Sequence, residues 1–164
     1  DLLKCEPRVA ALSKADYPKD DDGNYQTKTL KANNNQLEDI SEIPFVVNEL
    51  FENAAWITWL DLSCNKISFV PQSITNLKSL KIIYFHGNLI KQFQDVHKFT
   101  GLPELVKLTL HGNPLEKEKN YFHTVLAILP QLISLDFTGI SRADHECAMA
   151  IGRSRTRTRK RKAL

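Results

Sequence analysis

The stretch Leu105-Val106-Lys107-Leu108-Thr109-Leu110-His111-Gly112-Asn113-Pro114-Leu115 fits the spacing LxxLxLxxNxL at every fixed position. Upstream, Leu80, Ile83, Phe85, Asn88 and Ile90 occupy the same slots, and before them Ile57, Leu60, Leu62, Asn65 and Ile67. A weaker copy stands earlier, where Leu30, Ala32, Asn35 and Leu37 fit but Thr27 takes the first apolar slot. A degenerate one follows with Leu132, Leu135 and Phe137. Terminal units of a stacked array are expected to be atypical, because one side lacks a neighbour.

This array predicts an α/β leucine-rich-repeat solenoid: a short curved parallel β-sheet on the concave side, helices and turns on the convex side, and a C-terminal cap helix. Asparagines 35, 65, 88 and 113 are 30, 23 and 25 residues apart. The extra length in the first interval predicts a convex helix from Ser41 to Phe51, with Ser41 as N-cap and Val47, Leu50 and Phe51 at helical spacing. Ile74 with Leu77, and Phe93 with Val96 and Phe99, step by three and predict tight helical turns. The four asparagines are assigned to structure, since a buried amide offers donors and an acceptor to backbone groups left where each strand turns away.

After the last full repeat, Phe122, Val125, Leu126 and Leu129 form one apolar stripe that Pro130 stops, predicting a cap helix. Leu132 to Gly139 reads as the final strand. Ser141-Arg142-Ala143-Asp144 then starts a helix expected to lay Ala143, Cys147, Ala150 and Ile151 over the open end. The expected organisation is an extended arm over 1–25, the repeat domain with its cap over 26–140, a capping helix over 141–152 and a basic tail over 153–164. The arm carries Pro7, Pro18, Gly23 and the acidic run Asp20-Asp21-Asp22, which lacks the spacing of a calcium loop and reads as a solvated turn.

The chain has 164 residues, 42% of them apolar and 25% charged, enough for one extended core. Its longest apolar runs fall far short of the roughly 18 residues a spanning helix requires, and the amino end does not read as a secretory signal, although a chain that starts at Asp1 is open to a lost leader. Cys5, Cys64 and Cys147 are odd in number and widely spaced, which favours a reducing compartment over a disulfide-capped secreted one. Arg153, Arg155, Arg157, Arg159, Lys160, Arg161 and Lys162 supply seven cations without a carboxylate between them, so a chain of net charge +3 has a body of −4. Such a tail is expected to be disordered, or docked on an acidic surface such as a tubulin tail or nucleic acid. A solvated terminus without a target is the alternative.

Strand side chains alternate in facing, so the fixed apolar slots define an outward set on the concave sheet. It comprises Thr29, Lys31 and Asn33; Trp59, Asp61 and Ser63; Ile82, Tyr84 and His86; Lys107, Thr109 and His111; and Ser134, Asp136 and Thr138. Trp59, Ile82 and Tyr84 should form a contiguous apolar patch rimmed by Asp61, Lys107 and Asp136, the composition expected of a protein interface. The chain's own amino-terminal arm is the competing cover for that patch. From this set, Lys31, Trp59, Asp61, Ile82, Tyr84, His86, Lys107, Thr109, His111 and Asp136 are the candidate protein-binding residues.

His86 and His111 share one slot in successive repeats, which puts their Cβ atoms roughly 5 Å apart. Zinc would need two further ligands in tetrahedral reach, and Asp61 and Asp136 come from other slots, so a pair offering polar contacts to a partner is the preferred reading. No metal, cofactor or small-molecule substrate is expected. Cys64, His86, Asp61 and Asp136 are the nucleophile, base and acid candidates on this face, and without a phosphate loop or nucleophile elbow they do not make a catalytic site.

The segments Trp56-Ile57-Thr58-Trp59-Leu60-Asp61-Leu62-Ser63-Cys64-Asn65 and Tyr84-Phe85-His86-Gly87-Asn88, together with Leu108 to Tyr121 and Leu135 to Asp144, resemble the family of leucine-rich repeat-containing protein 51. The resemblance covers roughly residues 26 to 150 and leaves out the basic tail. It implies a non-catalytic cytoplasmic scaffold or adaptor of ciliated cells, in a ciliary or flagellar axonemal assembly. The cap also resembles those of phosphatase-regulating, spliceosomal and axonemal-dynein leucine-rich proteins. The alternative function is therefore a nuclear ribonucleoprotein component with an RNA-contacting tail, against which the lack of aromatic residues in the tail counts.

Overall fold

The computed structural model describes residues 27–51 and 53–162, and from residue 154 onward it describes the backbone alone. The amino-terminal arm, including its acidic run and Cys5, lies outside the described residues.

Six strands form one sheet in chain order: β1 (Thr29–Lys31), β2 (Trp59–Asp61), β3 (Ile82–Tyr84), β4 (Lys107–Thr109), β5 (Ser134–Leu135) and β6 (Thr138–Gly139). The pairs from β1 to β5 are parallel, and Trp59 stands opposite Ile82, Ile82 opposite Lys107, and Lys107 opposite Ser134. This is the register that the leucine slots predict. Behind the sheet Leu60, Leu62, Ile83, Phe85, Leu108 and Leu110 are buried, and Phe85 meets Phe99 edge-on with ring centroids 5.9 Å apart.

The convex return of each repeat is built from what its sequence allows. The first carries helix α1 (Ile43–Leu50), with Pro44 in its first turn, where a missing N–H costs nothing. Ser41 does not cap it: its amide and hydroxyl donate to Asp39 instead, and Glu42 holds the N-cap position. Val47 and Phe51 are buried, whereas Leu50 of the expected stripe is exposed. The shorter returns are a 3-10 turn at Gln72–Asn76, then helix α2 (Phe93–Lys98) running into a 3-10 turn at Phe99–Gly101.

An asparagine ladder runs through the interior. The amides of Leu37, Ile67 and Ile90 donate to Oδ1 of Asn65, Asn88 and Asn113 at 2.9–3.1 Å, each from the preceding repeat. Each Nδ2 group donates back to carbonyls of its own strand end and of the previous one, as Asn88 does to Phe85 and Leu62. The expectation of four equivalent inward asparagines holds for three. Asn35 is exposed and bonds only within its own turn, to the carbonyls of Ala32 and Asn33. The residue before each asparagine takes the left-handed conformation: Asn34 at φ 57°, Cys64 at 54°, Gly87 at 67° and Gly112 at 71°. At Gly112 a Cβ would stand 3.2 Å from the Gly87 backbone nitrogen, so the turns of successive repeats touch main chain to main chain.

The carboxyl end departs from the expected straight final strand. Asp136 and Phe137 have φ of 52° and 62°, and the chain reverses there as a two-residue hairpin, with β6 antiparallel to β5. Helix α3 (Tyr121–Ile128) is the predicted cap, burying Tyr121, Val125 and Leu126 and leaving Phe122 half-buried. Helix α4 (Arg142–Lys162) packs on α3. A Ser141–Asp144 capping box starts it, with the Asp144 amide donating to the Ser141 hydroxyl and the Ser141 amide to the Asp144 carboxylate. The Ser141 hydroxyl, which also donates to that carboxylate, and then the Ser141 amide hold the Asp144 carboxyl below its ordinary range. Its inward face is Ala148 with Ile151 and Gly152; Ala143, Cys147 and Ala150 of the expected set are exposed. The expected break near residue 152 is also absent, because the helix continues through the basic block to Lys162.

Candidate protein interface

Trp59, Tyr84 and Phe137 form an unbroken aromatic row across the concave sheet. The Trp59 and Tyr84 rings meet edge-on at 5.5 Å, and Tyr84 and Phe137 at 5.4 Å. Lys31 Nζ lies 4.9 Å from the Trp59 ring centroid, a cation over an indole face. Ile82 fills the slot beside Trp59 and Lys107 lies exposed beyond it. Trp59, Ile82 and Tyr84 are half-buried, while Phe137 is 62% exposed. Trp59 Nε1 is enclosed and has no hydrogen-bond partner among the described residues.

Phe137 is the residue that the alternation rule misses. Placed by spacing in an inward leucine slot, it is carried out onto the concave face by the hairpin turn. The signal was present in the sequence: the slot that should hold the repeat asparagine is Ile140, and Asp136 is a residue type that tolerates the positive φ of such a turn.

Three of the predicted contact residues are spent inside the molecule. Thr109 is buried, its hydroxyl accepting from the Phe85 amide at 3.2 Å and lying 2.8 Å from His86 Nδ1. Asp61 is buried and accepts from the amide and hydroxyl of Ser63, so it is not a rim charge. Asp136 accepts from the amides of Leu110 and His111 and from the Tyr121 hydroxyl. Burial, then the Asp136 charge and hydrogen bond, push the Tyr121 hydroxyl well above its ordinary pKa. The face is consequently less charged than its sequence suggests, with Lys31 and Lys107 as its exposed charges among the predicted set.

His86 and His111 lie face to face, ring centroids 4.6 Å apart and planes 6° from parallel. Phe137 stands against both, at 5.8 and 5.6 Å. Desolvation first, and the neighbouring His111 second, hold the His86 pKa below that of a free imidazole. In parallel stacked rings the nitrogen lone pairs run side by side and do not converge on one ion. Among the described residues no cluster of three or more His, Cys, Asp or Glu side chains is arranged to hold a metal, and no helix is long and apolar enough to cross a membrane.

Residues 55–115 match the leucine-rich-repeat family model. The chain is 38% identical to leucine-rich repeat-containing protein 51 of Bos taurus over 148 residues, 90% of this chain and 76% of that one. The Homo sapiens protein of the same name is 36% identical over the same shares. Among solved structures the fold is similar to that in the crystal structure of the Drosophila melanogaster SNF/U2A' complex, with a TM-score of 0.68 at 22% identity, over 85% of this chain and 76% of that one. The tandem slots, the parallel register and these identities agree: the chain belongs to the leucine-rich repeat-containing protein 51 family.

Proposed function

We propose that this leucine-rich-repeat scaffold is a non-catalytic adaptor that holds a protein segment on its concave face, within a ciliary axonemal or other cytoskeletal assembly of the cytoplasm. The observation that carries the binding role is Phe137. A bulky residue with φ of 62° is a backbone outlier, and its ring is exposed next to Tyr84, His86 and His111. Structure alone would favour Gly or Asn at that position. An aromatic kept there despite the strain, in line with Trp59 and Tyr84, is what a contact surface requires. The axonemal setting rests on kinship with the family. The basic end of α4 fits an acidic surface such as tubulin's, by charge alone.

The test is affinity capture with the intact chain from a ciliated-cell extract, comparing wild type with Phe137→Gly and with Trp59→Ala/Tyr84→Ala. Axonemal proteins recovered by wild type and lost with Phe137→Gly, whose fold circular dichroism shows to be intact, are the expected result. Equal recovery by all three sinks the concave-face reading. RNA-dependent recovery of nuclear proteins, lost on deleting residues 153–162, would put a ribonucleoprotein role in its place.

A further inference from the structure

The two stacked imidazoles are not equivalent, and the hydrogen bonds behind them say how. Thr109 Oγ1 is buried, accepts the Phe85 amide at 3.2 Å, and has His86 Nδ1 at 2.8 Å. A buried hydroxyl needs an acceptor for its own hydrogen. His86 Nδ1 is the acceptor in place, so neutral His86 carries its proton on Nε2. For His111 the partner is the reverse. Its Nδ1 lies 3.3 Å from Asp136 Oδ1, a carboxylate oxygen that only accepts. Neutral His111 therefore carries its proton on Nδ1 and leaves Nε2 as a bare lone pair.

Both Nδ1 atoms turn toward the next repeat, and the rings are nearly parallel at 4.6 Å. The two Nε2 edges consequently lie side by side, one a donor and the other an acceptor, neither with a hydrogen-bond partner among the described residues. The His111 side chain is 36% exposed. An anion set here would face the His111 lone pair, and an ammonium group would face the His86 N–H. A neutral group offering one acceptor and one donor toward the same side satisfies both. One residue of an extended chain does this, exposing its C=O and N–H to the same neighbour as in a β ladder.

We propose that the His86–His111 pair reads the main chain of the bound partner, His86 Nε2–H donating to a carbonyl and His111 Nε2 accepting the N–H of the same residue in an extended, uncharged peptide segment. Phe137, 5.8 and 5.6 Å from the two rings, closes one side of this seat. Tyr84 and Trp59 continue it as an apolar track for the side chain that follows. The inference rests on the concave face being the partner's seat and adds what that partner presents there.

Two measurements test it. The first needs no partner: long-range proton–nitrogen NMR of the intact chain at neutral pH should find His86 protonated on Nε2 and His111 on Nδ1. The same tautomer at both sites overturns the proposal. The second uses random linear peptides displayed on phage and selected against the intact chain. Peptides that bind should be uncharged where they cross the pair. N-methylation of one backbone nitrogen should weaken binding tenfold or more, about 1.4 kcal/mol, and should cost nothing further against His111→Ala. N-methylation tolerated at every position, or costing as much against His111→Ala as against wild type, overturns the proposal. If binding also survives Phe137→Gly and Trp59→Ala, the concave-face reading fails with it; if binding is lost in those variants but ignores N-methylation, the histidine inference alone fails. A library yielding no binder counts against both.

Discussion

The repeat around Asn88 and the repeat around Asp136 treat the same set of strand-end amides differently. In the middle of the array the next backbone does the work: the Leu62 amide donates to the Tyr84 carbonyl, and the Phe85 amide to the Thr109 carbonyl. The equivalent Leu110 amide would find the carbonyl of Asp136, but the hairpin has turned that backbone away. It donates instead to Asp136 Oδ1 at 2.6 Å, and the following Gly112 amide donates to Glu116 Oε2 at 2.7 Å. The carboxylates of Asp136 and Glu116 thus stand in for a strand that is no longer there. What the middle gains in uniformity the end trades for shape, since the same reversal puts Phe137 on the concave face.

The largest expected effect comes from breaking the ladder where it is complete. Asn88→Ala strands the Ile67 amide in the interior and leaves the carbonyls of Leu62 and Phe85 with one side-chain donor each, Asn65 and Asn113. At about 1–3 kcal/mol for the buried amide left unpaired and about 0.5–1.5 kcal/mol for each of the two further hydrogen bonds lost, a loss of roughly 3 kcal/mol or more is expected in urea unfolding. Asn35→Ala, at the exposed end, should cost less than about 1 kcal/mol in the same assay. Next comes the substitute ladder: Asp136→Ala leaves two amides and the Tyr121 hydroxyl without their acceptor and should cost roughly 2–4 kcal/mol. Asp136→Asn, which keeps Oδ1, should recover part of that. If Asp136→Ala proves neutral, water meets those amides and the substitution account is wrong.

Smaller still is Phe137→Gly. Relief of the left-handed strain, about 1–2 kcal/mol, opposes the loss of edge-on ring contacts worth about 0.5–1.5 kcal/mol. Net stability should stay within about 1 kcal/mol of wild type by thermal unfolding. A large loss would make Phe137 a structural residue after all. The smallest effect is the pH response of His86. Its folded pKa is lowered, so below the unfolded value near 6.5 the unfolded state binds more protons. Stability should fall as the pH drops from about 6.5 toward the folded value, with no contribution above 6.5. His86→Gln should flatten that part of the curve measured by urea unfolding between pH 7 and 5.

Register was legible in the sequence because it depends on spacing: a slip of one residue would turn Leu60, Ile83 and Leu108 outward together. Exposure was not. Thr109 and Asp61 do face the concave side by parity, yet short polar side chains on a curved parallel sheet find amides and hydroxyls of their own neighbourhood and sink into it. Phe137 escaped for another reason, since alternation presumes an uninterrupted strand and two successive positive φ values end one. Composition alone makes the basic block a tail, whereas a capped helix seated on α3 propagates into it at one hydrogen bond per added residue.

That propagation has an electrostatic consequence. Arg153 to Lys162 carries seven cations on an axis of about 15 Å, at 1.5 Å of rise per residue. One charge per roughly 2 Å approaches the linear density of duplex DNA, about one per 1.7 Å. A rod charged that densely gathers counterions before it meets any partner. An acidic surface binding there would draw much of its driving force from the release of those ions.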